Sequence, residues 1–214
     1  QILAERVAQG SEVVRLLRDA KRPLVHGGQG VRLAGAIPEF FKLVESCGLP
    51  FVTARNANDI CGGDHPNYIG RPGTFAQRGA NFVVQTCDLY IAIGTRLSLA
   101  QTGYQAKDYA RNAKIVMVDI DAAELAKGTV RVDLALQADA GDFLRELLRQ
   151  YVEAGAWAGW LARCKALPAQ YPVVTQAMRE QSQHVNSYHF VDVLSDLLDA
   201  DDVIVTDMGA SFQH

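Results

Sequence analysis

The stretches GRPGTFAQRGANF (70–82), DLYIAIGTRLS (88–98) and KIVMVDID (114–121) decide the fold of this chain. They read as a glycine-rich turn opening a helix, then two short apolar strands with polar residues at their carboxyl ends. Strands that are apolar along their whole length belong to parallel sheets covered on both faces. Polar side chains at the carboxyl ends of such strands face the crevice where open α/β sheets take ligands.

The same alternation extends in both directions. Residues 2–19 carry Leu3, Val7, Val14 and Leu17 on one helical face. PLVHGG (23–28) is an apolar strand, 33–47 is a helix stopped by Gly48, and LPFVTA is the second strand. Residues 54–73, rich in Asn, Gly, Asp and Pro, read as a long loop. A helix over 74–87 opens at Thr74 as N-cap and leads into LYIAIG. A short helix near 104–111 precedes KIVMVDI. Asp121 caps a brief helix, ALQAD is a fifth strand, and Asp139 caps a helix reaching 152. The expected fold is α/β: a doubly wound, Rossmann-like parallel sheet of about five to six strands with helices on both faces.

The expected organisation is a central nucleotide-binding-like domain over 1–152, a linker over 153–185 and an incomplete further domain over 186–214. The last piece holds a helix, SYHFVDVLSDLLD, and a strand, DVIVTD, with no sheet of its own. The chain begins without Met and stops just after a strand, so it reads as a segment of a longer protein.

Composition excludes several classes. Apolar residues make up 49% of the 214, enough for a large core, and the net charge is only −3. The 21 basic and 24 acidic residues are well mixed, with no basic face for nucleic acid. No apolar run approaches the ~20 residues of a membrane span, and no signal peptide is visible. The four cysteines form no CxxC pair and read as thiols of a reducing compartment, hence a cytoplasmic location.

Four groups could carry chemistry. Gly28 and Gly30 follow the first strand and either cradle an anion or simply make a tight turn. They miss the dinucleotide fingerprint, because Leu33 stands where a third small residue is needed and the second strand ends in Thr53 rather than an acid. Gly73 and Thr74 form a turn beside Arg71. Arg96 follows the third predicted strand and suits a pyrophosphate, a carboxylate or a surface ion pair. Asp119 and Asp121, two apart, either hold a ribose or ribityl hydroxyl or serve as caps. The five histidines are scattered, and no nucleophile elbow, phosphate loop or HExxH is present. No catalytic set can be chosen; a nucleotide-binding α/β domain is as far as the residues reach.

In order along the chain, the segments resemble a family. GRPGTFAQRGAN is similar to the GMHGT…AN loop of acetolactate-synthase-like, thiamine-diphosphate-dependent enzymes, and IAIGTRLS to their IxxGxRF. KIVMVDIDAAEL resembles their KIIHIDIDPAEI, and LQADA their VGD segment, at Asp139. VIVTDMGASFQH (203–214) is similar to the opening of their C-terminal diphosphate-binding domain, with Gly209, Ala210 and Ser211 at the matching positions. The resemblance implies a homo-oligomeric parent that decarboxylates 2-keto acids and passes the carbanion to an acceptor, with thiamine diphosphate and Mg²⁺. It places the catalytic glutamate and the GDG metal motif outside this segment, which alone is then not catalytic.

The resemblance also implies FAD or ADP at Gly28, Gly30, Gly73, Arg96, Asp119, Asp121 and Asp139. Here the chain departs from the FAD-binding members. It reads LSLAQTG where they read FDDRVTG, so Ala100 or Gln101 replaces their second arginine. It also reads MGAS where acetolactate synthases read GQHQ, which suggests another substrate class. The alternatives are a free-standing flavin- or adenine-nucleotide-binding module and a structural dimerisation domain.

Overall fold

The computed structural model describes residues 2–150 and 157–205. They divide after Gln170 into two compact units.

The first unit opens with α1 (Ile2–Asp19), β1 (Pro23–Gly27), α2 (Gln29–Leu33) and α3 (Ile37–Cys47). β2 (Phe51–Thr53), β3 (Tyr68–Gly70), α4 (Arg78–Thr86) and β4 (Leu89–Ile93) follow. Then come α5 (Leu99–Thr102), β5 (Lys114–Asp119), α6 (Ala122–Ala126), β6 (Leu134–Gln137), α7 (Ala140–Gln150) and α8 (Ala158–Gln170). All six strands are parallel, in the order β3-β2-β1-β4-β5-β6. The doubly wound sheet expected from the apolar runs is therefore present. Every residue of β1 and β4 is buried, as strands covered on both faces require. The direction of winding reverses between β1 and β4, which defines the switch point.

Helices α3 and α7 pack together, with α1 against α7, while α4 and α8 pair with each other. Phe40 of α3 meets Phe51 edge to face with centroids 5.3 Å apart, directly over Gly27. A side chain at Gly27 would displace that ring, so the aromatic fills the space the glycine leaves.

Several boundaries differ from the sequence reading, each for a local reason. The expected helix 33–47 starts only at Ile37, after a separate short helix, α2, and a turn in which Gly35 takes a φ of +62°; Gly48 ends it in the left-handed conformation at φ +67°. The loop 54–73 hides a 3₁₀ turn, Arg55–Ile60, and the edge strand β3. With three residues, β3 is too short to show a period. The helix expected from 74 starts at Arg78 with Gln77 at its N-cap position; Thr74 donates its amide to Ala100 O instead (2.9 Å). In place of a helix at 104–111 the chain forms α5 and a 3₁₀ turn over Ala106–Asp108. Asp121 does cap α6, accepting from Ala123 N at 2.8 Å, and Asp139 accepts from Gly141 N and Asp142 N at the start of α7.

Helix α8 extends the first unit beyond residue 152. Its indole Trp160 Nε1 donates to Pro23 O, and Trp157 Nε1, just before it, donates to Ala20 O, both at 2.9 Å. These two bonds tie the entry of β1 to a segment 137 residues later. Trp160→Phe keeps an aromatic ring, though a smaller one, and removes the donor. The expected loss is about 1–2 kcal/mol in the unfolding free energy of this unit, read from the shift of its urea midpoint and followed by the fluorescence of the remaining tryptophan.

The second unit contains α9 (Gln176–Arg179) and α10 (Ser187–Leu197), joined by an Arg179–Asp192 ion pair at 2.7 Å. Asn186 caps α10 through Tyr188 N and His189 N. Of the expected strand DVIVTD, residues 202–205 belong to no strand and the remainder lies outside the described residues. The sixth strand of the sheet is β3, from within the long loop.

Candidate functional site

The carboxyl ends of β1, β4 and β5 gather most of the residues singled out in the sequence. Gly28 and Gly30 face the turn after β4 rather than open space. Gly28 N donates to Ile93 O at 2.9 Å and Gly30 N donates to Gly94 O at 3.0 Å. A Cβ on Gly28 would stand 2.5 Å from the carbonyl carbon of Gly94; one on Gly30 would stand 2.7 Å from Gly94 Cα. The glycines thus permit one backbone turn to lie directly on another. Gly94, at φ +60°, is in turn bonded to β5 through Val118 O at 2.8 Å.

Gly73 sits in the loop between β3 and α4 with φ +145°, its backbone clasped at both ends by the Asn81 amide, each bond 2.9 Å. A Cβ there would approach Ala100 O to 2.7 Å. With the Thr74–Ala100 bond, this contact joins the glycine-rich loop to the segment after β4.

Arg96 is exposed and paired with Glu124 of α6, Nη2 to Oε1 at 2.6 Å. Lys127 holds the other oxygen of Glu124 at 2.7 Å and also donates to Arg96 O. Hydrogen bonds from Lys127 and Arg96 keep the Glu124 carboxyl below its ordinary range. Asp119 is buried at the end of β5 and accepts from Asp121 N at 2.9 Å. Asp139 lies at the start of α7, capping it from the end of β6. Gly209, Ala210 and Ser211 lie outside the described residues.

The sequence reading missed a buried polar line at the switch point. His26, fully buried on β1, has Nδ1 against Tyr90 Oη of β4. Tyr90 Oη lies 2.7 Å from Tyr109 Oη. On the other side, Gln101 Nε2 is 3.4 Å from His26 Nε2 and 3.1 Å from Thr95 Oγ1. Gln101 Oε1 accepts from Ser98 N at 3.1 Å, completing a capping box at the start of α5. His26 thus has a polar partner at each ring nitrogen, Tyr90 Oη at Nδ1 and Gln101 Nε2 at Nε2. Burial pushes the imidazole pKa down to about 3, against a weaker upward pull from the Thr53 backbone, so His26 is neutral. Burial likewise raises both tyrosines. The line is therefore a neutral hydrogen-bonded network across ordinary pH. Its links between elements join residues far apart in sequence: Tyr90 to Tyr109 across 19 positions, His26 to Tyr90 across 64 and to Gln101 across 75.

The segment carrying Gln101 is held under strain. Leu97 adopts φ +46°, a left-handed conformation rare for a branched residue, while its side chain is 1% exposed. Such backbone costs about 1 kcal/mol or more and is retained where packing over-determines it.

Among the described residues no group of three or more His, Cys, Asp or Glu is placed to hold a metal ion. None of the four cysteines is in a disulfide; burial pushes Cys61 to about 11 and Cys164 to about 12, leaving protonated, unreactive side chains. No helix among the described residues is long and apolar enough to cross a membrane.

A six-stranded parallel sheet with a glycine-lined switch point and polar strand ends defines a doubly wound, Rossmann-like α/β domain. Comparison with known proteins gives its family. The chain belongs to the thiamine pyrophosphate enzyme central-domain family, whose sequence model matches residues 11–147. It is 37% identical over 142 residues to a probable acetolactate synthase large subunit of Methanococcus aeolicus, covering 66% of this chain and 23% of that one. It is 32% identical over 209 residues to a probable acetolactate synthase large subunit of Methanocaldococcus jannaschii (94% and 34% covered). The large subunit of acetolactate synthase isozyme 2 of Escherichia coli is 29% identical over 205 residues (94% and 35%). The chain spans about a third or less of these curated relatives.

Proposed function

We propose that this chain is the central segment of an acetolactate-synthase-like carboligase or decarboxylase that acts on 2-keto acids with thiamine diphosphate and Mg²⁺. The observation that carries the reading is the alignment of 94% of the chain with an acetolactate synthase large subunit, together with the family match at 11–147. Thiamine diphosphate supplies the electron sink that stabilises the carbanion left by decarboxylation. Residues 186–214 then begin a C-terminal domain in which Gly209, Ala210 and Ser211 reach the diphosphate. The metal site and the group that activates the cofactor lie on other parts of the parent. The role of the segment is to join and space those parts, in a homo-oligomer of the cytoplasm.

The test uses the full-length protein. Release of CO₂ from pyruvate or another small 2-keto acid is expected only when thiamine diphosphate and Mg²⁺ are both supplied. Residues 1–214 alone are expected to release none. Absence of any thiamine-dependent turnover across a panel of 2-keto acids, together with no retention of thiamine diphosphate, would overturn the reading.

A further inference from the structure

The strand order puts a ligand crevice over the ends of β1 and β4, yet the groups that would hold a nucleotide there are already engaged within the chain. The amides of Gly28 and Gly30 are bonded to Ile93 O and Gly94 O. The amide of Gly73 is bonded to Asn81. Arg96 is paired with Glu124. Asp121 and Asp139 accept from the amides that open α6 and α7. A diphosphate needs several unpaired donors converging on one place, and these residues do not offer them. FAD or ADP therefore does not fit the residues as they stand.

What stands at the switch point is the segment 94–102. It leaves β4, crosses to β1 through the Gln101–His26 contact, and reaches the loop after β3 through the Thr74–Ala100 bond. Thr95, Leu97 and Gln101 are all buried along it. Gln101 is turned inward and Ala100 carries no polar group, so neither position that matches the arginine of FAD-binding relatives presents a charge to the crevice. The strained backbone at Leu97 is what lets the segment fold back onto the strand ends.

We infer that the crevice is filled by the chain itself: the segment 94–102, fixed by Gln101 onto His26, takes the place of a nucleotide and leaves this domain nucleotide-independent. Gln101 is a positioning residue, holding one loop over the ends of two strands. The inference goes beyond the thiamine reading and does not need it.

The test is made on the intact protein. After denaturation, the released small molecules are expected to contain well under one equivalent of flavin or adenine nucleotide per chain. Millimolar FAD or ADP is expected to move the thermal midpoint by less than about 1 °C, whereas a saturating ligand would move it by several degrees. Gln101→Ala is expected to lower the midpoint, with neither nucleotide restoring it. Close to one equivalent of either nucleotide, or a shift of several degrees on its addition, would overturn the inference. Thiamine diphosphate is titrated separately on the same preparation. A missing response to it counts against the proposed function alone.

Discussion

Gly28→Ala is expected to destabilise the first unit by about 3–5 kcal/mol, the range reserved for backbone collisions and broken cores. The added methyl would lie 2.5 Å from both the Gly94 carbonyl carbon and Thr95 Cβ. Gly94 cannot retreat, because its amide is bonded to Val118 O at 2.8 Å and its Cα already rests against Gly30. Any shift must therefore open the Gly28–Ile93 and Gly30–Gly94 hydrogen bonds, at about 1 kcal/mol each, in addition to the strain. Gly35→Ala is the matched control. Gly35 has φ +62° with nothing within 4 Å of its would-be Cβ, so only the left-handed backbone is penalised, by about 1–2 kcal/mol. Urea denaturation of this chain, followed by its two tryptophans, Trp157 and Trp160, both buried in the first unit, gives the comparison. A Gly28→Ala protein as stable as the control would mean that the turns after β1 and β4 are not in contact.

The contrast between these glycines shows what the sequence could and could not reveal. Gly48 as a helix stop and Asp121 as a cap depend on neighbours within a few residues, and both were legible. So were β1, β4 and β5, whose apolar runs need no partner to be recognised. Gly28 and Gly30 read as a ligand cradle or a turn, because a glycine pair looks alike whether its neighbour is a phosphate or another backbone. The deciding contact, Gly94, is more than sixty residues away. Gln101 was visible only as a missing arginine. That it turns inward depends on the left-handed backbone at Leu97, which a leucine does not announce. Trp157 and Trp160 fall in the stretch read as a linker, and their place on the first unit follows from carbonyls at the other end of the chain.

The second large effect concerns pH and falls on His26. In the folded unit burial holds its pKa at about 3, while an unfolded histidine titrates near 6.5. A group whose folded pKa is lowered because its charged form is excluded binds its proton first in the unfolded chain. Its contribution to stability is then complete above about pH 6.5 and is lost as pH falls toward 3. The slope is about 1.4 kcal/mol per pH unit for one proton. Tyr90 and Tyr109, the titratable neighbours in the network, are raised by burial and stay protonated throughout, so they add no slope in this window. His26→Gln removes the titration while leaving Tyr90 and Gln101 short of a well-placed partner, a starting loss of about 1–3 kcal/mol at pH 7.5. All other carboxylates and histidines titrate alike in both proteins and cancel in the difference. The two stabilities, measured by urea midpoint from pH 7.5 to 4.5, are therefore expected to converge as pH falls, since only the wild type loses the His26 term. Parallel curves would show that His26 is not buried as a neutral ring. Ring-carbon NMR of His26 gives an independent reading. Its shift is expected to stay constant through pH 6.5, where exposed histidines move.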